Sequence, residues 1–352
     1  MLSTMSKNKT LIFVGTIKKV ANCGESMKNH LFIDRFREVF DRVITIDIFK
    51  PKKHPLCVVK LFFILLFHKH DKIILSVSPV TADKFLNFIF KMGCDNVYYW
   101  AVGISLVDGF EKGCFTKERY NRLKAIYVQS PRMVNVLGKY GLGNVQYVPN
   151  SKPILFYPDI TSRHNDTVRF VFLSRMDPKK GCEMILECAE NLTLQGYKNR
   201  FKVDFYGLIA ESKKQWFALF SQKLALSETC EYRGFLDLTC KKGYEILSGY
   251  DAMLFPTFYD GEAFPGILID AFIAGLPVVA SDWHFNRDIV TEQTGIMIPA
   301  KDKNALYQAM KEILDGHIDI KTMAVNCQQE AWKYDNNVVL SENNLKKIGF
   351  LN

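Results

Sequence analysis

The sequence has no C-x-x-C pair, and the closest two of its nine cysteines, Cys182 and Cys188, have a spacing that fits no zinc pattern. That excludes a structural zinc site and leaves reduced, buried thiols of a cytosolic protein as the expectation. A long apolar run is missing too. The nearest approach, Leu56–Phe67, falls short of the roughly 20 residues a membrane-spanning helix needs and is interrupted by Lys60. The opening MLSTMSKNKT runs straight into LIFVG without a cleavage site, so no secretory signal is read there. Neither Gly15 nor Gly24 begins a G-x-G-x-x-G, which removes the fingerprint of an NAD-dependent dehydrogenase. No low-complexity tract and no recognised nucleic-acid module is present, so nucleic acid is not an expected partner.

What is present suits a globular enzyme. The 352 residues are 48% hydrophobic and 24% charged, enough for two domains with substantial cores. Charge is uneven: residues 1–150 hold 23 Lys and Arg against 11 Asp and Glu, the remainder 23 against 26. A basic first half suggests an anionic partner. Short apolar, β-branched runs near 11–15, 43–49, 72–77, 97–102, 125–130 and 145–149 alternate with helical patterns near 25–40, 56–68, 80–92 and 131–139. The second half repeats the rhythm at 168–174, 202–207, 230–235, 252–257, 277–281 and 295–299. Such alternation predicts an α/β protein of two parallel sheets covered by helices. The break Pro149-Asn150-Ser151-Lys152-Pro153 marks the linker. The predicted division is 1–152, 153–330 and a helical tail 331–352 that packs back on the first domain. Ligands of open sheets bind beyond the carboxyl ends of the strands, and with two sheets the cleft between them is the expected place.

The most informative stretch is 254–282, LFPTFYDGEAFPGILIDAFIAGLPVVASD. A strand ends at Pro256, a loop presents Asp260-Gly261-Glu262, and Gly266 to Ala274 reads as a helix stopped by Gly275 and Pro277. Glu262 and Asp270 are eight residues apart, close to two helical turns, which lets both carboxylates face one side. The helix start at Phe264, Pro265 and Gly266 offers N–H groups to a diphosphate. Earlier, Arg175 and Lys180 lie in FLSRMDPKKG, two cations suited to a leaving diphosphate that gains charge.

These motifs resemble the retaining GT-B glycosyltransferases of family 4, whose E-x7-E is followed by G-x-P-V-V/I-A. Here the corresponding residues are Glu262, Asp270 and Gly275-Leu276-Pro277-Val278-Val279-Ala280, with Asp in place of the second Glu. FLSRMDPKKG resembles the family's G-R-L-x-x-x-K-G, with Ser174 where glycine is usual. Tyr206-Gly207 and Arg233-Gly234-Phe235 fall where the family ends strands around the nucleotide. The resemblance is specific from about 168 to 315. In the first half, Val14-Gly15 followed by Asn22-Cys23-Gly24 resembles the first strand and glycine turn. Val128-Gln129-Ser130 and Tyr140 to Asn150 resemble polysaccharide-assembly members. Many members carry a His after the fourth strand; Tyr98-Tyr99-Trp100-Ala101-Val102-Gly103 has none, so no His is assigned to catalysis.

The resemblance implies a GT-B fold of two Rossmann-like domains facing each other across a cleft, the first for the acceptor and the second for the nucleotide-sugar. It implies a metal-independent, retaining hexosyltransferase with no cofactor, moving sugar onto a glycan or lipid-linked acceptor in surface polysaccharide synthesis, such as capsule or lipopolysaccharide. Glu262, Arg175 and Lys180 would be catalytic. Asp270 would hold the ribose, with Gly24, Phe264, Pro265, Gly266, Gly207 and Phe235 lining the donor site. A non-hydrolysing sugar-nucleotide epimerase of the same fold, or a non-catalytic nucleotide- or nucleic-acid-binding protein, stays open.

Other readings compete locally. Asp260-x-Glu262 can be read as a metal-binding pair of the other glycosyltransferase fold, and His68-x-His70 as a metal pair or a basic surface turn. Trp283, His284 and Arg287 line the donor pocket or simply pack nearby. The basic, apolar stretch 50–72 is either an interfacial helix, making the protein peripheral at an anionic inner membrane face, or a core helix with solvated ends.

Overall fold

A computed structural model describes residues 8–17, 24–48, 56–161 and 167–351. The chain divides into two compact units, Met1–Lys152 with Asn336–Asn352, and Pro153–Asp335. In the first unit the elements are β1 (Asn8–Gly15), α1 (Gly24–Val39), β2 (Phe40–Asp47), α2 (Leu56–Phe67), β3 (Lys72–Ser76), α3 (Pro79–Lys91) and β4 (Val97–Trp100). There follow α4 (Ser105–Glu111), α5 (Lys117–Tyr120), β5 (Ala125–Val128), α6 (Pro131–Lys139) and β6 (Val145–Tyr147). The six strands form one parallel sheet in the order β2-β1-β3-β4-β5-β6.

The second unit runs β7 (Val168–Leu173), α7 (Cys182–Leu192), β8 (Phe201–Tyr206), α8 (Lys214–Leu226), β9 (Cys230–Gly234), α9 (Lys241–Leu247) and β10 (Ala252–Phe255). It closes with α10 (Gly266–Ile273), β11 (Val278–Asp282), β12 (Gly295–Pro299), α11 (Lys303–Leu314) and α12 (Ile320–Ala331). Its sheet is also parallel, in the order β12-β11-β10-β7-β8-β9. The helices α13 (Asn336–Val339) and α14 (Glu342–Lys347) belong to the first unit.

Strand periodicity explains the layers. Alternate residues of a strand point to opposite faces, and the second sheet accordingly has a separate core on each. Phe170, Phe172, Val203, Phe205 and Leu254 pack with α7, α8 and α11. Val171, Leu173, Met253, Phe255 and Ala280 pack with α9, α10 and α12. In the first unit, Phe32, Ile33 and Phe36 of α1 cover Phe13, Ile74, Trp100 and Tyr127, joined by Leu345, Phe350 and Leu351 of the tail.

All twelve expected strands are present. β2 starts three residues before the expected 43 because it pairs with β1 along its whole length, from Asn8 opposite Phe40 to Gly15 opposite Asp47. The short α4 and α5, of seven and four residues, span too few turns to show periodicity in the sequence. The eight described cysteines are all free thiols. Asn22 and Cys23 of the expected glycine turn, and Lys50, Lys52 and Lys53, lie outside the described residues.

Candidate active site

The order of the second sheet reverses between neighbouring β7 and β10. Loops leaving the carboxyl ends of these two strands diverge, and such a switch point is where open α/β sheets take ligands. Arg175 and Lys180 come from the loop after β7, Glu262 from the loop after β10.

Local chemistry fixes that β7 loop. Asp177 caps a 3-10 turn at Pro178–Lys180, its carboxylate accepting from the Lys179 N–H at 2.9 Å. Gly181 closes the turn at φ 84°, and a Cβ there would come within 2.6 Å of the Pro256 carbonyl oxygen. The position admits only glycine for both reasons, and the close approach sets Lys180 beside the end of β10. Gly207, after β8, is similar: a Cβ would meet the Ser174 carbonyl oxygen at 1.7 Å.

The Lys180 ammonium, buried at 4% exposure, is paired with the Glu262 carboxylate. It lies 4.8 Å from the Tyr259 ring centre and 5.6 Å from that of Phe255. Exposed Arg175 stands 5.1 Å from the same Tyr259 ring, so two cations share one aromatic ring. Thr257 is fully buried and its hydroxyl donates to Glu262 Oε2 at 3.2 Å. The Thr257 oxygen takes the Tyr259 N–H at 3.3 Å, and the Ser281 hydroxyl donates to the Thr257 carbonyl. Trp283 Nε1 donates to the Tyr259 carbonyl at 2.9 Å. The Glu262 loop is thus braced from β10 and β11 before any ligand arrives.

Asp260 and Glu262 do not act as a pair. Exposed Asp260 is bonded to Lys179, which holds its carboxyl below the usual range, whereas Glu262 faces Lys180. Among the described residues no three His, Cys, Asp or Glu side chains gather as metal ligands. His68 Nδ1 is bonded to Asp71 at 2.6 Å, and Arg287 to Asp282 at 2.7 Å.

As expected, α10 begins at Gly266 and leaves Glu262 in the loop before it. Asp270 lies in the helix at 1% exposure, where its Oδ1 accepts the Tyr244 hydroxyl at 2.7 Å. Phe264 is also buried, 5.4 Å from the Tyr334 ring, while Phe235 beyond β9 is exposed at 59%. Pro265 precedes α10 as its N-cap, and Gly266 opens it half-buried. Gly24 opens α1 in the other unit. Thr257, Tyr259 and Ser281 escape a reading of the sequence because single hydroxyl residues carry no charge pattern; only Thr257 could be suspected, from its place between the strand end and the acidic loop.

Residues 167–316 match the family model described as Glycosyl transferases group 1. Most of the second unit is therefore similar to group 1 glycosyl transferases. Arg175, Lys180, Gly207, Glu262 and Asp270 all lie within the matched span. A phosphatidyl-myo-inositol mannosyltransferase of Mycobacterium leprae is 29% identical to this chain over 201 residues, 56% of this chain and 50% of that protein. The chain therefore spans about half the length of the curated relative it matches. HepE of Anabaena, solved in complex with UDP, superposes with a TM-score of 0.73 at 13% identity, over 97% of this chain and 100% of that one. Sucrose-phosphate synthase of Thermosynechococcus elongatus superposes at 0.74 with 15% identity, over 97% and 99%. At these identities the likeness carries the fold alone, an α/β fold of two Rossmann-like domains of the GT-B class.

Proposed function

We propose that the protein is a retaining, metal-independent hexosyltransferase that takes a nucleotide-sugar and glycosylates a glycan or lipid-linked acceptor in surface polysaccharide synthesis. The observation that carries the reading is the buried Lys180–Glu262 pair beside Arg175 at the switch point of the second unit. Arg175 and Lys180 neutralise the departing diphosphate, the task a metal performs elsewhere. The entering diphosphate competes for Lys180 and releases Glu262, whose carboxylate then accepts from sugar hydroxyls and orients the anomeric carbon. The exposed Phe235 ring packs on the base, and Asp270 reaches the ribose after exchanging its Tyr244 bond. HepE is described in complex with UDP, which makes uridine the first donor base to try. No cofactor takes part.

Attachment to the inner face of an anionic membrane belongs to the same reading. No described helix is long and apolar enough to cross a membrane. Yet α2 exposes Leu56, Val59, Phe62, Phe63, Leu66 and Phe67 and buries only Leu61 and Leu65. The deciding experiment incubates the protein with UDP-sugars and lipid-linked or oligosaccharide acceptors and reads the new linkage by NMR. A product with the donor's anomeric configuration is expected. Inversion overturns the retaining mechanism, and free epimerised nucleotide-sugar without acceptor overturns transfer itself.

A further inference from the structure

Lys28, Phe32 and Phe36 stand at i, i+4 and i+8 of α1, one stripe of the helix. Phe32 and Phe36 belong to the core against Phe13 and Trp100, so Lys28 occupies a core-facing position one turn closer to the helix start. It is 7% exposed, with its ammonium 5.1 Å from the Phe32 ring centre and 5.8 Å from that of Trp100. Trp100, which ends β4, is fully buried. Lys28 Nζ and Trp100 Nε1 are both buried and have no hydrogen-bond partner among the described residues.

An unpaired buried donor costs free energy, and a charged one costs far more. Burial accordingly pushes Lys28 down to about 7, although Glu25 nearby favours its charge. Glu25 is itself pushed up by burial, so the two do not settle each other. The other buried lysine of this unit shows what a structural solution looks like: Lys72 donates to the Phe350 carbonyl and lies over the Tyr98 and Phe350 rings, 4.9 Å from each. Lys28 has the rings without the acceptor. It also lies where open sheets take ligands, since α1 follows the carboxyl end of β1 and Trp100 closes β4.

We propose that Lys28 and the indole N–H of Trp100 form a subsite for an oxyanion, a phosphate or carboxylate carried by the acceptor; this rests on the acceptor role read for the first unit. The indole N–H and the protonated ammonium can only donate, so the occupant must supply acceptor oxygens, and its negative charge favours the charged form of Lys28. A neutral sugar hydroxyl satisfies the pair less well.

The test uses the full-length protein with UDP at saturation, so that the Arg175/Lys180 site is filled. Binding of glycerol 3-phosphate, glucuronate and neutral methyl glucoside is read by calorimetry. At least one charged probe is expected to bind and the neutral one not, the stronger of the two charged probes identifying phosphate or carboxylate as the natural group. Lys28→Met removes the charge at similar volume, and Trp100→Phe removes the N–H while keeping an aromatic ring. Hydrogen bonds to charged groups imply a loss of about 10-fold or more in probe affinity in Lys28→Met. Trp100→Phe should lose several-fold, with UDP affinity unchanged in both. Charged probes that bind no better than methyl glucoside, or equal affinity in wild type and Lys28→Met, overturn the subsite. Wild-type protein that ignores UDP overturns instead the glycosyltransferase reading.

Discussion

Two buried charged groups, one in each unit, show how the same cost has opposite meanings. Lys180 has a carboxylate to pair with, so replacing Glu262 and replacing Lys180 should differ in kind. Glu262→Gln keeps shape and loses a charged acceptor, so turnover should fall on the order of 10- to 150-fold while UDP affinity barely changes. Lys180→Ala should weaken UDP binding and turnover together, because it removes the cation. A folded Glu262→Gln enzyme with wild-type turnover would sink the role of Glu262. Among the described residues Lys28 has no hydrogen-bonded carboxylate, and its pKa makes a prediction about stability. Its folded value of about 7 lies below the ordinary 10.5, so the unfolded chain binds the proton that the fold expels between those limits. Stability from this group is therefore present above pH 10.5 and lost as pH falls toward 7, with a slope approaching about 1.4 kcal/mol per pH unit. Urea unfolding at about pH 7.5 and about pH 9 should show wild type gaining on Lys28→Met as pH rises; parallel curves would mean that Lys28 is not buried as described. Arg175, Lys180 and Glu262 were legible in the sequence because charges stand out at strand ends. Lys28 was not, since nothing in the spacing of one lysine says that it points inward.

At the scale of elements, α2 is the one whose sequence and structure leave a choice to experiment. Its mean character is apolar, yet Leu56 and Phe67 are 79% and 83% exposed, and six large apolar side chains share the exterior. A contiguous apolar surface on a soluble protein usually marks an interaction site. Lys60 and Lys69 lie exposed along the same segment, with Lys50, Lys52 and Lys53 preceding it in sequence. Apolar face with basic rim fits an anionic bilayer. Reversing Lys52, Lys53 and Lys69 to Glu should weaken binding to vesicles containing phosphatidylglycerol by about 1 kcal/mol per residue at low salt. Phe63→Ser with Phe67→Ser should weaken it independently of salt. Vesicle binding that ignores both sets of changes would show that α2 is not the element that meets the membrane. The existence of the strands was readable in the sequence, because both sheets are parallel and buried strands are apolar runs, whereas α4 and α5 are too short to show a period. Element ends were less readable: β2 takes its start from pairing with β1, three residues before the sequence pattern places it.

For the whole molecule, the unequal charge of the two halves and their different strand orders describe a division of labour. The first sheet reverses between β1 and β3, the second between β7 and β10, so each has its own switch point and its own ligand edge. Two Rossmann-like sheets were legible in the sequence from their repeating rhythm, but strand order was not, because order depends on crossovers that leave no local mark. The basic excess lies in residues 1–150, while Arg175 and Lys180, the cations proposed to hold the diphosphate, lie in the near-neutral second half. Nucleotide binding should therefore depend on a few placed cations rather than on net charge, and should survive without a metal. Its magnitude follows from mass action: UDP at about 100 times its dissociation constant should add roughly 2.7 kcal/mol to stability. In a thermal melt this is a rise of several degrees, expected to be the same in excess EDTA and to vanish in Lys180→Ala. Because Arg175 and Lys180 supply fixed charge, moderate salt should reduce the affinity gradually rather than abolish it. Stabilisation lost in EDTA and restored by magnesium or manganese would show that the diphosphate needs an ion after all, and that this ion, rather than Arg175 and Lys180, carries the neutralising charge.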